Sequence, residues 1–246
     1  MSELTGTVAL VTGGSRGIGA AIARRLAAAG ADIAITYRSG ADPAEAVAAD
    51  IRAAGRRAIT LSADSADAEQ VVDAVNRTAA ELGGVDILVN NAGIFPAKPF
   101  EEFSLAEIDR ALHIHARAAF VAAQAALPHM DRGGRIISIG SNLSERALFD
   151  GLTLYNLSKS ALNGFTRALA RELGPRGITV NLVQPGSTDT DMNPAAAAHA
   201  EQQVRASALG RFGAADDVAA LVAFLAGPDG ARLTGATLTV DGGTNA

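Results

Sequence analysis

Short apolar runs at residues 7–11, 33–36, 58–63, 85–89, 135–139, 178–183 and 237–240 punctuate the chain and read as strands. Between them lie longer segments, at 20–29, 42–54, 67–82, 104–127, 153–174 and 215–226, in which Ala, Ile, Leu and Val recur at helical spacing. An Ala-rich stretch also follows the sixth run and extends to about Leu209. Local chemistry marks the helix ends. Gly30 is suited to the C′ position of the first helix. Asp42, Pro43 and Glu45 read as an N-cap, a proline at N1 and a glutamate at N3 for the second. Ser104 and Glu107 form a capping box for the helix that runs to about Leu127. No linker, internal repeat or second core breaks the alternation. It predicts a single α/β domain over residues 1–246, a doubly wound parallel sheet of about seven strands with helices on both faces.

The strand ends carry the candidate chemistry. After the first strand comes Thr12-Gly13-Gly14-Ser15-Arg16-Gly17-Ile18-Gly19, then a helix. Glycines let a backbone approach an anion closely, and a helix N-terminus presents free N–H groups and a positive dipole to it. The turn therefore reads as a phosphate cradle, although a tight connection that binds nothing has the same composition. The second strand ends at Tyr37-Arg38-Ser39, without the acid that NAD-preferring folds place there to hold ribose hydroxyls. Arg38 stands in its place, and Arg16 can reach the same side. Two guanidiniums suit a 2′-phosphate through charge-assisted bonds, so the expected cofactor is NADP(H). The third strand leads into Asp64-Ser65, where Asp64 either accepts from an adenine amine or caps the helix of 67–82, roles that are compatible.

The fourth strand ends at Asn90-Asn91-Ala92-Gly93, amides suited to shaping a crevice beside a ligand. His113 and His115 point to different faces at i,i+2 spacing, which argues against a metal-binding pair. The fifth strand ends at Gly140-Ser141-Asn142 and the sixth at Pro185-Gly186-Ser187-Thr188-Asp189-Thr190. Tyr155 and Lys159, four apart, share one face of the 153–174 helix. A neighbouring ammonium stabilises a phenolate, which would bring the phenol toward use near neutral pH. Taken alone, the two read first as an ordinary exposed pair on a helix.

Composition narrows the partners. The net charge of −5 and only 4% aromatic residues supply neither a basic field nor stacking platforms, so nucleic acid is not an expected partner. Cysteine is absent, which excludes disulfides, thiolate catalysis and Cys-ligated metal. No span reaches membrane length, and the first residues lack the basic and apolar regions of a signal peptide; a cytoplasmic protein is expected.

The ordered set Thr12-Gly13-x-x-x-Gly17-x-Gly19, Asn90-Asn91-Ala92-Gly93, Ser141, Tyr155-x-x-x-Lys159, Pro185-Gly186-x-x-x-Thr190 and the closing Val240-Asp241-Gly242-Gly243 resembles the short-chain dehydrogenase/reductase family, and most closely its ketoacyl-carrier-protein reductase-like branch. The resemblance spans essentially the whole chain and implies a Rossmann-type fold. It implies that Gly13, Gly17 and Gly19 wrap a pyrophosphate with help from Ser15, Arg16 and Ile18. Asn90, Asn91, Ala92 and Gly93 would line the ribose region; Pro185, Gly186, Thr188 and Thr190 would hold the carboxamide. Ser141 would bind the substrate carbonyl oxygen, Tyr155 donate its proton, and Lys159 bind the nicotinamide ribose. The implied activity is NADPH-dependent reduction of a ketone or oxidation of a secondary alcohol. A 3-oxoacyl-carrier-protein reductase and a catalytically silent NADP(H)-binding sensor are the alternatives, and a homotetramer is the implied assembly.

Two departures from the family pattern stand out. His115 occupies the position where the family often has an asparagine that holds a proton-relay water. An imidazole there would titrate near pH ~6.5, which predicts an acidic activity limb that moves in His115→Asn. The interval of 14 positions from Ser141 to Tyr155 is one longer than usual and should reshape the loop 143–153 at the substrate mouth. Ile94, Phe95, Asn142, Leu143, Leu148, Phe149, Leu152, Ser187 and Met192 are the expected pocket walls, mostly apolar and suited to a hydrophobic ketone. Residues 187–208 are a candidate lid. Arg132 and Arg176 are candidate contacts for an acidic carrier protein, with Asp131 beside the first.

Overall fold

The computed structural model describes residues 3–131, 133–197 and 200–246. Strands β1 (Val8–Val11), β2 (Asp32–Tyr37), β3 (Ala58–Ser62), β4 (Ile87–Asn90), β5 (Arg135–Ile139), β6 (Thr179–Pro185) and β7 (Thr237–Val240) join one sheet in the order β3-β2-β1-β4-β5-β6-β7. Every pairing is parallel. Strand β1 is central: Val11 lies opposite Ile35 on one side and Val89 on the other. The order reverses at β1 and β4, which opens a crevice at the carboxyl ends of the strands.

The two faces follow from the strand period of two. Ala9, Val11, Ile33, Ile35, Ile87 and Val89 enter one layer with α1 (Gly17–Ala28), α2 (Ala41–Ala53) and α8 (Ala215–Ala226). Val8, Leu10, Ala34, Leu88 and Ile136 enter the other, with α3 (Ala68–Leu82), α5 (Ala118–Ala126) and α6 (Thr153–Leu173). Successive residues such as Leu10 and Val11 are both fully buried, on opposite sides. Burying such a side chain is worth about 1.5–3 kcal/mol, so a parallel sheet covered on both faces reads as a continuous apolar run.

Three expectations about helices are corrected. Helix α2 begins at Ala41 after Gly40, whose φ of 87° makes the turn, so Asp42 lies in the first turn and is not the N-cap. Helix α3 is capped by Asp67, whose side chain accepts from Glu69 N and Gln70 N; Asp64 instead accepts from Ala66 N. The expected helix over 104–127 is interrupted. Helix α4 (Leu105–Leu112) gives way to a π-turn over His113–Arg117 before α5 resumes. The short α7 (Ala200–Ala206) follows the β6 loop. Among the described residues no helix is long and apolar enough to cross a membrane.

Candidate active site

A cleft of about 800 Å³ runs along the carboxyl ends of the strands. Gly13, Ser15, Arg16, Gly17, Ile18, Gly19, Tyr37, Arg38, Ser39, Asp64, Ser65, Asn91, Ala92, Gly93, Ser141, Tyr155, Lys159, Pro185, Gly186, Thr188 and Thr190 all line it. So do all the expected pocket walls, from Ile94 and Phe95 to Met192. Asn90 does not: it is buried, with its amide directed to Ser138 Oγ at 3.5 Å.

The Gly-rich turn is tied on two sides. Gly13 N donates to Thr36 Oγ1 at 3.0 Å and Gly14 N to Thr36 O at 3.0 Å. Thr12 Oγ1 accepts from Asn91 N at 2.9 Å and Ala92 N at 3.1 Å, while Asn91 Nδ2 donates to Thr12 O and Gly13 O. Side chains are excluded there. A Cβ on Gly13 would stand 3.0 Å from Ala92 Cα, and one on Gly19 would stand 2.4 Å from both Asn91 Nδ2 and Gly13 O. The first turn of α1 carries no acidic side chain and its start has no side-chain cap, so its N–H groups face the cleft without a protein acceptor there. Backbone donors in a glycine-lined cradle are what a pyrophosphate requires. At the far end, the Arg16 guanidinium lies 3.3 Å from where a Cβ on Gly40 would be, across the turn that follows Arg38 and Ser39. Both arginines are exposed, and neither pairs with a carboxylate among the described residues. The residues therefore fit a dinucleotide with a phosphate on its adenosine ribose. Arg110, missed from sequence, borders the cleft and pairs with Asp64 at 3.4 Å.

Tyr155 and Lys159 are both buried on α6. The Tyr155 ring is held edge-on by Phe95 at 4.7 Å and by His115 at 5.9 Å between centroids. Burial pushes the phenol above its ordinary range, while a hydrogen bond with Ser141 pulls the other way. Desolvation, not the neighbouring ammonium, sets the direction of the Tyr155 shift. Lys159 Nζ donates to Ile139 O at 2.8 Å, and burial brings its ammonium down to about 8. Ser141 Oγ accepts from Leu143 N at 3.2 Å, leaving its own proton to donate.

His115 departs from expectation. Burial, then the charge of Lys159, lowers it from 6.5 to about 2, against an opposing hydrogen bond from Ile94. Nε2 accepts from Ile94 N at 3.0 Å, and Nδ1 lies 2.8 Å from Ser158 Oγ, whose proton goes to Tyr155 O at 2.9 Å. The serine therefore accepts from Nδ1–H, which settles the tautomer. Both ring nitrogens are engaged, and the ring is neutral near pH 7. Beside it, a cavity of about 20 Å³ touches Lys159, Asn90, Thr12 and Ile114. That is room for one water.

At the mouth, the loop after Ser141 is pinned where Gly151, at φ 78°, packs on the Lys98 backbone and accepts from Lys98 N at 3.1 Å. Gln202, Gln203 and Ala206 of α7 border the cleft, so the candidate lid overlies it; Ala198 and His199 of that segment lie outside the described residues. Arg176 is spent on the carbonyls of Leu127 and Met130, and Arg132 lies outside the described residues. No group of His, Asp or Glu suited to a metal ion occurs among the described residues.

Residues 13–245 match the family described as Enoyl-(Acyl carrier protein) reductase. A short chain dehydrogenase from Burkholderia cenocepacia J2315, solved in complex with NADP, is 59% identical with a TM-score of 0.98, covering 99% of this chain and 100% of that one. A blue fluorescent protein from a metagenomic library, solved with NADPH, is 56% identical with a TM-score of 0.98 over 99% of this chain and 100% of that one. The Cyclic-di-GMP-binding biofilm dispersal mediator protein of Escherichia coli (strain K12) is 43% identical over 242 residues, 98% of each chain.

Proposed function

The chain belongs to the short-chain dehydrogenase/reductase family, and on that premise we propose that it is an NADPH-dependent carbonyl reductase and secondary-alcohol dehydrogenase for a fairly apolar ketone or alcohol. The observation that carries this reading is the convergence of Ser141, Tyr155 and Lys159 on one mostly apolar cleft, Tyr155 and Lys159 one turn apart on α6. NADP(H), held by the Gly13–Gly19 cradle and by Arg16 and Arg38, supplies the hydride. Reduction puts negative charge on the substrate oxygen. Ser141 and Tyr155 meet that charge with two donors already in place, which favours the transition state over the ground state. Tyr155 holds its proton at neutral pH because burial disfavours the phenolate, so it is ready to act as the acid. Lys159, with its ammonium brought down to about 8, exchanges a proton near neutrality at little cost. We route its replenishment through a water in the cavity beside it, not through the His115 ring.

A small ketone is favoured over a carrier-borne acyl chain, because the walls of the cleft are mostly apolar. Domain organisation and assembly follow the same reading: one domain over 1–246, in a homotetramer. Phe120 and Leu157 leave apolar area exposed on α5 and α6, and Phe224 does so on α8, as two separate interfaces require.

The test is turnover of a ketone panel with NADPH and NADH side by side, repeated with Tyr155→Phe. The substitution is expected to cut turnover by about 10²–10⁴-fold while leaving NADPH affinity unchanged. Turnover retained by the phenylalanine variant would remove Tyr155 from the mechanism. Tight NADPH binding with no ketone reduced would favour the sensor reading.

A further inference from the structure

The last strand ends in a turn that reaches three walls of the cleft at once. Gly242 and Gly243 adopt φ of 63° and 80°, which fold residues 241–245 back on themselves. Asp241 collects the turn: Oδ1 accepts from Gly243 N at 2.9 Å and Oδ2 from Asn245 N at 3.0 Å. The same Oδ2 accepts from Asn142 Nδ2 at 3.3 Å, and Asn245 Nδ2 donates to Asn142 O at 2.8 Å. Asn142, buried beside Ser141, is thus gripped at both its side chain and its carbonyl.

The turn also touches the other walls. Gly186 N donates to Val240 O at 2.9 Å, and a Cβ on Gly186 would stand 2.6 Å from Asp241 Cβ. Gly242 O accepts from Ser207 Oγ at 3.1 Å and from Leu209 N at 3.0 Å, just beyond α7. Thr244 lines the cleft itself, and its carbonyl accepts from Arg146 Nη1 at 3.0 Å across the loop that follows Ser141.

We propose that this turn is a specificity-determining clasp. Through Asp241 and Asn245 it fixes Asn142, and with it the backbone of Ser141, against the loop at Gly186. Through Thr244 and Arg146 it sets the width of the substrate mouth. Asn142 and Asn245 are positioning residues, acting on the ketone through Ser141 and the 143–152 loop. The inference rests on the proposed reading of Ser141 as the group that binds the carbonyl.

The experiment uses the full chain with Asn245→Ala, Arg146→Ala and Arg146→Lys, none of which alters a side chain lining the cleft. Loss of one neutral hydrogen bond corresponds to about a five-fold effect. Asn245→Ala is expected to lower kcat for a small aliphatic ketone about five-fold and to raise the kcat/KM ratio of a bulky aryl ketone over the small one by a similar factor. Arg146→Ala should shift the ratio in the same direction by about three-fold, and Arg146→Lys should restore it. NADPH affinity should not move in any variant.

Amide hydrogen exchange supplies a readout independent of turnover. Exchange over 143–152 should quicken in Asn245→Ala while the amides of β1 and β4 keep their rates. An unchanged selectivity ratio or unchanged exchange in that loop overturns the clasp. Should Asn245→Ala fail to bind NADPH, the Arg146 pair decides by the same ratio. An unsubstituted protein that turns over no ketone, yet shows faster loop exchange in Asn245→Ala, overturns the reductase reading and the specificity role with it, and leaves only the turn's hold on the 143–152 loop.

Discussion

Protonating His115 would set a second charge beside Lys159 in a buried site and would cost the ring its acceptor role toward Ile94 N. The sign of the pH effect follows. The unfolded ring takes a proton near 6.5 and the native ring only near 2, so between these values the unfolded state binds more protons. Stability from this residue is therefore intact above about pH 6.5 and declines as pH falls, by up to about 1.4 kcal/mol per pH unit. Denaturant unfolding at pH 7, 6 and 5 should show the slope, and His115→Asn should flatten it. The acidic limb of activity should stay where it is in that variant; a limb near pH 6.5 that vanishes with His115 would contradict the buried, neutral ring. That Ser141, Tyr155 and Lys159 would share one cleft was legible because type, order and spacing all agree along the chain. The burial and hydrogen bonding of His115 were not, because the expectation came from its matching a family asparagine, and nothing local in the sequence announces the contacts with Ile94 and Ser158.

Among elements, the β1–α1 connection shows most clearly how glycine writes function into a turn. Gly19 is needed for closeness: a Cβ there falls 2.4 Å from the Gly13 carbonyl, which is backbone and cannot swing away. Gly19→Ala should therefore push the Gly13 carbonyl and the Asn91 amide apart, with an overpacking cost of about 1–3 kcal/mol. The same distortion should weaken NADPH binding by about ten-fold or more, measured by titration of nicotinamide fluorescence, while helical content by circular dichroism is kept. Unaltered affinity would mean that the cradle does not bind through this turn. Capping was harder to read than glycine. Asp64 and Asp67 stand three apart before α3, and only the backbone path decides which carboxylate faces the free N–H groups. At α2 the left-handed Gly40 sets the entry, so the Asp42-Pro43 pair falls two positions further into the helix than its chemistry suggests.

For the whole molecule, the alternation of apolar runs and amphipathic segments was enough to foresee the sheet, and the order reversal at β1 and β4 then fixes where a ligand lies. Contacts between distant positions were not foreseeable: Asn142 meets Asp241 and Asn245 across about a hundred residues, and no local pattern announces the pairing. Cofactor choice is a property at this scale, since it depends on charge gathered from two loops around one end of the cleft. A ligand that binds only the native state adds about 2.7 kcal/mol at a hundred times its dissociation constant. For a chain of 246 residues that is a rise of about 5–10 °C in Tm. NADPH should give this shift at a concentration where NADH gives much less, because only the former offers a 2′-phosphate to Arg16 and Arg38. In Arg16→Ala/Arg38→Ala the NADPH shift should shrink to that of NADH, and added salt should erode it in the unsubstituted protein, since both arginines are exposed and screened. Equal shifts for the two cofactors before any substitution would mean that the missing acid at the end of β2, and not the pair of arginines, is all that the sequence records there.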